Sequence, residues 1–222
     1  MTPKERIVAT IAHKEPDKVP AHINATKWVV KKLKMALQVD SDKTLLEALH
    51  IDVYDMRGID IHSGTAPKYI GPENEFFPEN WAGAINSFWS IKEFENKTDS
   101  GWNMEMEAPP LTNAASIEEL KNYPWPDNDW FDYSDLRAKL EYWKDFSNMA
   151  SGASVFQHAT YLRGMDTLMM DMMADPEKAN FILDKFTDFY YEYYQRMFEV
   201  AGDLIDVFAL ADDFGMQNTL LI

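Results

Sequence analysis

The sequence predicts an α/β fold in which four parallel strands alternate with helices, about half of an eight-stranded α/β barrel. The first observation is an apolar run, residues 207–211, that ends at two adjacent acids, Asp212 and Asp213. Such a run is typical of a strand covered by helices on both faces. The second is the strand–helix–strand order of residues 19–56. The third is a wide apolar stripe along residues 176–201, which predicts a helix packed on the sheet.

The first elements are predicted to form one βαβ unit. Thr2 and Glu5 make a capping-box pattern around Pro3, so a first helix is predicted to begin there and to extend to about His13. Short apolar segments at 19–24 and 51–56 are typical of strands. Between them, the spacing of apolar residues indicates two helices, at 26–37 and from about 42 to 49.

Residues 59–115 break this rhythm. Glycines and prolines divide the segment into short mixed runs, among them residues 84–94 and 102–108. The pattern predicts a β-rich excursion of one or two antiparallel hairpins, inserted into a single barrel domain that spans residues 1–222. One interpretation places this excursion over the mouth of the site.

The remaining elements return to alternating helices and strands. Ser116 begins a second capping-box pattern, and Asp175 with Pro176 begins the long helix at 176–201. Gly202 is expected to end that helix. Further helices are predicted at 134–146 and 156–173, and strands at 148–155 and 204–211.

The composition excludes several classes of function. The chain has 21 basic and 37 acidic residues, and its formal charge of −16 argues against a nucleic-acid partner. It has no cysteine, so no disulfide, thiolate nucleophile or Cys-ligated zinc can form within these residues. No apolar run approaches the roughly 20 residues that a membrane helix needs, and the N-terminus lacks the apolar core of a signal peptide. These features favour a cytoplasmic protein without membrane contact.

The predicted barrel is incomplete. A whole barrel usually has about 250 residues, and an uncovered strand edge promotes aggregation. Only a short tail that ends in Leu220, Leu221 and Ile222 follows the last predicted strand. We therefore expect the 222 residues to be the N-terminal portion of a longer chain.

Several stretches of the sequence resemble the uroporphyrinogen decarboxylase superfamily. They are residues 1–20 (MTPKERIVATIAHKEPDKVP), 161–177 (YLRGMDTLMMDMMADPE), 201–203 (AGD) and 212–217 (DDFGMQ). They occur in the expected order, and the resemblance covers the chain except for much of residues 73–115. It implies a TIM barrel with the site in its mouth. It also implies either tetrapyrrole decarboxylation or methyl transfer between a corrinoid protein, coenzyme M or a methylated substrate.

Departures from the decarboxylase pattern favour the methyltransferase branch. The decarboxylases carry an arginine-rich segment after the first strand, whereas residues 22–28 (HINATKW) contain no arginine. A substrate with many carboxylates would lack its counter-charges there. Asp60 stands about one residue out of register with the essential decarboxylase aspartate, so the resemblance carries it over only weakly. Tyr161 matches the tyrosine of the decarboxylase pocket with a gap of one residue. In the methyltransferase branch, one histidine and two cysteines bind zinc in the second half of the barrel, beyond Ile222.

Residues at the carboxyl ends of strands are the main site candidates, because α/β-barrel enzymes keep their chemistry there. Asp212 and Asp213 are candidates for cation binding, for orienting a substrate hydroxyl or amine, or for acid–base catalysis. The equal alternative is a solvated turn that caps the next helix. Arg57 is the candidate anion anchor, and a salt bridge to a nearby acid is equally expected. The candidate catalytic residues are Asp212, Asp213, Tyr161 and Asp60, and the candidate substrate-binding residues are Asn24, Arg57, His22, Arg163 and Gln217.

The leading hypothesis is a corrinoid-linked methyltransferase that acts on a small methylated substrate, with the 222-residue fragment inactive by itself. Its candidate cofactors are zinc and a corrinoid supplied by a partner protein. One alternative is a uroporphyrinogen-type decarboxylase that uses Asp60 and Tyr161 without a cofactor. The other is a non-catalytic protein that binds a corrinoid or tetrapyrrole. A homodimer is an expected assembly, because dimers are common among the proteins that the sequence resembles.

Overall fold

The computed structural model describes residues 1–57, 65–72, 89–91, 93–98, 101–106 and 108–221. These ranges contain eight α-helices: α1 (Pro3–Ile11), α2 (Lys27–Leu37), α3 (Asp42–Ala48), α4 (Ile117–Lys121), α5 (Leu136–Tyr142), α6 (Val155–Arg163), α7 (Met165–Ala174) and α8 (Pro176–Ala201). They also contain seven short strands: β1 (Val53–Asp55), β2 (Lys68–Tyr69), β3 (Glu93–Thr98), β4 (Gly101–Met106), β5 (Phe131–Asp132), β6 (Ser147–Ser151) and β7 (Val207–Ala209).

The helix boundaries follow from local sequence. The Thr2 hydroxyl accepts a hydrogen bond from the Glu5 N–H at the start of α1, and the Glu5 carboxylate accepts one from the Thr2 N–H. This is the predicted capping box. α8 begins at Pro176, also as predicted, and its buried face carries the predicted stripe. That face includes Ile182, Phe186, Phe189, Tyr193 and Met197.

A three-stranded parallel sheet in the order β1-β6-β7 organises the molecule. Val53 lies opposite Ser147, and Met149 lies opposite Val207. Because the strands are parallel, their carboxyl ends meet at one edge, the carboxyl edge, and their beginnings meet at the other, the amino edge. Helices α6, α7 and α8 connect β6 to β7, and α8 packs against all the other helices of this connection.

The sequence predicted the N-terminal half of a TIM barrel, and this prediction is wrong. Three parallel strands pair in the described residues, and the sheet they form is open, with β1 and β7 at its edges. A barrel closes its sheet and has no such edges. One of the four predicted strands, at 19–24, is not a strand: Val19 is 87% exposed, and Pro20 has no N–H to donate to a ladder. A single backbone position, Ala21, exchanges hydrogen bonds with Asp52.

Two smaller pairings lie beside the main sheet. β3 and β4 form an antiparallel hairpin, with Thr98 opposite Gly101, and β2 pairs antiparallel with β5. Much of the predicted excursion at 59–115 lies outside the described residues, which omit 58–64 and 73–88. The extent of that excursion, and the division of the chain that it implies, therefore stay predictions.

Two hydrophobic clusters hold these elements together. The larger surrounds α8, where Trp89 packs on Phe186 with ring centroids 4.0 Å apart. The smaller joins α2 and α3 to β1, and there Tyr54 stacks on Trp143 with centroids 3.8 Å apart. Burial of one such side chain contributes roughly 1.5–3 kcal/mol. The clusters thus fix β1 and β6 firmly, whereas β7 is less buried than either of these strands.

Candidate functional site

Four polar residues meet at the carboxyl edge, and we call them the carboxyl-edge cluster: Asp55, Arg57, Ser151 and His22. Asp55 is the last residue of β1, and Ser151 is the last residue of β6. Since these strands are neighbours, the Ser151 hydroxyl lies beside Asp55 and donates to its Oδ1 at 2.8 Å. The Asp55 carboxylate is buried, so it needs such donors in place of water.

Arg57 supplies the other donors to Asp55. The Arg57 backbone N–H donates to Oδ1 at 2.9 Å, and its guanidinium Nη2 and Nε donate to Oδ2 at 2.8 and 3.2 Å. This is a charge-assisted pair in which both carboxylate oxygens are used. The Arg57 side chain remains 31% exposed. Arg57 thus forms the salt bridge that was predicted as the alternative to anion binding. The exposed face of its guanidinium remains open to a ligand.

His22 completes the cluster from the segment that precedes α2. Its Nε2 lies 3.9 Å from Asp55 Oδ2, which is too long for a hydrogen bond. The two hydrogen bonds between Ala21 and Asp52 hold this segment against the start of β1. The imidazole is 37% exposed, so it faces solvent on one side and the buried carboxylate on the other.

The inner side of the cluster is packed against α8. The Tyr194 hydroxyl of α8 donates to the Ser151 carbonyl at 2.8 Å, and burial raises the pKa of Tyr194 above its ordinary value. A cavity of about 20 Å³ lies beside Arg57 and Ser151. A space of that size holds about one water molecule. A substrate would therefore bind above the cluster, on the side of His22 and the exposed face of Arg57.

Asp212 and Asp213 also lie beyond the carboxyl end of a strand, but their contacts are those of a helix cap. Asp212 Oδ2 accepts from the Phe156 N–H at 2.7 Å, and Oδ1 accepts from the Gln157 N–H at 2.8 Å. Ser154, at the usual capping position of α6, instead donates to the Ala211 carbonyl. Asp213 accepts from Gln157 Nε2 at 2.6 Å. Asp212 is therefore a helix cap, but of α6, which precedes it in the chain, and not of a following helix as predicted. A catalytic role for either aspartate stays a prediction.

Tyr161 lies on α6, away from the carboxyl-edge cluster. It packs half-buried against the larger hydrophobic cluster, 5.9 Å from the His158 ring. His158 Nδ1 and the Tyr190 hydroxyl share a hydrogen bond of 2.6 Å. Burial lowers the pKa of His158 to about 4, so this imidazole is neutral at pH 7. His158 is therefore a buried structural histidine.

The other predicted residues are dispersed. Arg163 is buried at the far end of α6, where it donates to Asp171 Oδ2 at 2.7 Å and to the Ala114 carbonyl at 2.8 Å. Its acidic partner is thus Asp171, on α7. Asn24 and Gln217 are exposed. Asp60, on which the decarboxylase alternative depends, lies outside the described residues.

Sequence reasoning missed Asp55 and Ser151. Asp55 carries a detectable signal, because an acid inside a short buried strand needs a partner and Arg57 follows two residues later. Ser151 carries none, since its role depends on contact with a residue 96 positions away.

The described residues do not fit a zinc ion. No set of three or more histidine and acidic side chains is close enough to hold a metal within the ranges that the structure covers. His22 and Asp55 would offer two ligands, whereas catalytic zinc usually takes three from the protein. No step of the chemistry is therefore assigned to zinc.

Comparisons with known proteins give one informative result. No protein-family model matches the sequence, and no curated protein does. The fold is similar to that of a methyltransferase from Methanosarcina mazei. The TM-score is 0.55 at 14% sequence identity, with 100% of this chain and 62% of the methyltransferase chain covered. The chain thus spans less than two thirds of that protein, and the likeness concerns the fold alone.

Of two further expectations from the sequence, the superfamily is not tested by the comparisons, and the absence of a membrane helix gains limited support. None of the comparisons shows membership of the uroporphyrinogen decarboxylase superfamily, so that resemblance stays a prediction. Within the ranges given above, the helices are too short or too polar to span a bilayer.

Proposed function

We propose that this chain is part of a methyltransferase and that the carboxyl-edge cluster binds a small methylated substrate. One observation carries the proposal: a buried, fully bonded carboxylate with an arginine and a histidine that are each about one third exposed stands at the carboxyl edge of the sheet. Open α/β sheets bind their ligands at that edge. The likeness in fold to a methyltransferase supports the choice of reaction.

Methyl transfer needs a group that moves a proton. A nucleophile forms a bond to the methyl carbon while the bond from that carbon to the leaving group breaks. The nucleophile gives up a proton, or the leaving group takes one. His22 is placed for this role, because its imidazole is partly exposed at the open side of the cluster, with Nε2 3.9 Å from Asp55 Oδ2. Arg57 fixes Asp55 through one face and offers its exposed N–H groups to an anionic part of the substrate.

The finer assignment is that the methyl group passes to or from a corrinoid carried by a partner protein. The sequence resemblance to the methyltransferase branch of the uroporphyrinogen decarboxylase superfamily supports this choice. The open carboxyl edge is compatible with approach by a protein-bound carrier. Free cobalamin can replace the carrier in a first assay.

The test is methyl transfer measured in both directions. Because residues 1–222 are expected to be inactive by themselves, the assay uses the natural full-length protein that contains them. It is incubated with methylcobalamin and a panel of thiols and amines, and under reducing conditions with cobalamin and a panel of methylated amines, ethers and thioethers. Cobalamin absorbance reports the cobalt state, and NMR identifies the methylated product. We expect turnover that is lost in Asp55→Asn and kept in Asp206→Asn, a matched change at the amino edge. Folded protein without turnover in either direction would contradict the proposal.

A further inference from the structure

Tyr194 of α8 lies on the inner side of the carboxyl-edge cluster. Its ring is buried, and its hydroxyl donates to the Ser151 carbonyl at 2.8 Å. Ser151 is the last residue of β6, and Gly152 follows it with a φ of +111°. Glycine adopts such a conformation without strain and also leaves it easily, because it has no Cβ. The bond from Tyr194 therefore fixes the peptide between Ser151 and Gly152 at the point where the chain leaves the strand.

Two further hydrogen bonds connect this peptide to Arg57. The Ser151 hydroxyl donates to Asp55 Oδ1 at 2.8 Å, and Arg57 Nη2 donates to Asp55 Oδ2 at 2.8 Å. A carboxylate is planar, so a shift of the donor on one oxygen turns the other oxygen with it, and a paired guanidinium follows. The orientation of the Arg57 guanidinium thus depends on Ser151, and through Ser151 on Tyr194.

The cavity beside the cluster makes these hydrogen bonds necessary for its geometry. Arg57, Ser151 and Tyr194 all line this space of about 20 Å³. In most of a protein interior, close packing holds each side chain in one position. Here a space for about one water molecule adjoins the three residues, so packing alone does not hold them. Their hydrogen bonds supply the orientation that packing does not.

The same helix offers a comparison one turn earlier. Tyr190 is as deeply buried as Tyr194, and its hydroxyl shares a hydrogen bond of 2.6 Å with His158 Nδ1. Among the described residues, the hydrogen bonds of His158 do not lead to Asp55 or to its partners. The two tyrosines therefore have the same chemistry and burial, but they differ in whether their bonds reach the carboxyl-edge cluster.

We infer that Tyr194 is a positioning residue, which orients Arg57 for the substrate through Ser151 and Asp55. The role of Arg57 in substrate binding rests on the proposed function, whereas the connection from Tyr194 to Arg57 follows from the contacts above. Arg57 binds the substrate in its ground state and in its transition state alike. Loss of the Tyr194 hydroxyl should therefore raise KM more than it lowers kcat.

The first experiment follows Arg57 by NMR without any substrate, in the natural full-length protein labelled with ¹⁵N-arginine. The Arg57 Nε–H signal is identified by its absence from Arg57→Lys. We expect hydrogen exchange at this Nε–H to be at least about threefold faster in Tyr194→Phe, because Asp55 holds it less firmly. Ser151→Ala should have the same effect, and Tyr190→Phe should have none. Unchanged exchange in Tyr194→Phe would overturn the inference, and so would equal acceleration in Tyr190→Phe.

The second experiment measures methyl transfer by the same full-length variants. We expect Tyr194→Phe to raise KM about tenfold with a smaller change in kcat, and Tyr190→Phe to change neither. Urea denaturation should show similar losses of stability in these two variants, since each loses a buried hydrogen bond of a tyrosine. An equal rise of KM in both variants would make Tyr194 a structural residue.

A double variant tests the route through Ser151. In Ser151→Ala, the additional change Tyr194→Phe should have little further effect on KM, because the connection to Asp55 is already broken. Independent, additive effects of the two changes would contradict that route. If the exchange rates change as expected but the unmodified protein transfers no methyl group, the proposed function alone is refuted.

Discussion

The two edges of the parallel sheet use aspartate in opposite ways. At the amino edge, Asp52 precedes β1 and Asp206 precedes β7. At the carboxyl edge, Asp55 ends β1 and Asp212 follows β7. Asp52 is bound by the buried Arg6, and Asp206 by Lys4 and the Asn148 N–H. Arg6 itself uses Nε and both Nη atoms on Asp17, Asp52 and the Met1 carbonyl.

The carboxyl edge differs from the buried Arg6–Asp52 pair of the amino edge in how much its cations are exposed. Asp55 is as buried as the amino-edge acids, but the Arg57 and His22 side chains beside it are about one third exposed. A buried ion pair whose donors and acceptors are all used can hold elements together, and it has no hydrogen-bonding group left for a ligand. A buried acid with exposed partners can position them for one. The comparison therefore supports a structural role for the Arg6–Asp52 pair, and it is consistent with the binding role proposed for the carboxyl edge.

The largest expected effect is at the amino edge. Asp52→Asn leaves the buried Arg6 guanidinium with the more exposed Asp17 as its acidic partner. Removing one partner of a buried pair costs about 3–5 kcal/mol of unfolding free energy. Urea denaturation measures it. In the matched variant Asp206→Asn the lost partner, Lys4, is half exposed, so we expect a loss of about 1 kcal/mol or less. Equal losses in the two variants would remove the distinction.

The next largest effect concerns the pH dependence of stability and arises from His158 on α6, the helix that begins at the carboxyl edge. The folded-state pKa of His158 is about 4, below its ordinary 6.5, so the unfolded chain binds the proton more readily. Stability is therefore fully present above pH 6.5 and falls as the pH is lowered towards 4. The loss amounts to about 3 kcal/mol.

His158→Gln should abolish this part of the pH dependence. The measurement is the free energy of unfolding from pH 7 to pH 4.5 for the protein and the variant. Carboxylates such as Asp17, whose pKa is lowered by Arg6, lose their contribution below that window. Parallel pH profiles for the two proteins would contradict a buried, neutral His158.

Arg57→Ala tests the carboxyl edge directly. We expect kcat/KM for methyl transfer to fall about 100-fold, because the variant displaces Asp55 and opens the substrate site. Unfolding free energy should fall as well, because the buried Asp55 carboxylate loses its charged partner. Arg57→Lys keeps the charge without the two-pronged contact and should restore activity only in part. A large loss of stability with unchanged kcat/KM would make Arg57 another structural residue.

The smallest effect concerns Asp212. Asp212→Ala removes the acceptor for the Phe156 and Gln157 N–H groups, and loss of a helix cap costs about 1 kcal/mol. Asp213→Ala removes a single exposed contact with Gln157 and should cost less. Thermal unfolding measures both. If Asp212→Ala abolished methyl transfer without lowering Tm, its predicted catalytic role would be favoured over capping.

Local signals in the sequence predicted much of the helical structure. The capping pattern at Thr2 and the stripe on α8 depend on neighbours within a few turns, and both are present. The strand prediction at 19–24 failed because apolar character alone does not supply a pairing partner, and Pro20 lacks the N–H for one.

The site was predictable only in outline. Arg57, Asp212 and Asp213 lie at the carboxyl edge, where strand-end reasoning placed them. His22 also lies there, although the strand that was predicted to carry it is absent. The sequence did not show which residues they contact. Asp55, the partner of Arg57, is also bonded to a serine 96 residues away, and Asp212 caps a helix 56 residues away. Arg163, expected at the mouth, is buried in a bond with Asp171. Such pairings depend on the tertiary arrangement and leave no local trace.

The remote cap on α6 bears on how the chain is made. During synthesis α6 leaves the ribosome well before Asp212, the residue that its first turn requires. Until then Ser154 and the amides of Phe156 and Gln157 have open positions, since their partners Ala211 and Asp212 have not yet been added. The first turn of α6 therefore gains these hydrogen bonds only when β7 joins the sheet. One late event thus pairs β7 with β6 and caps the helix beside the site.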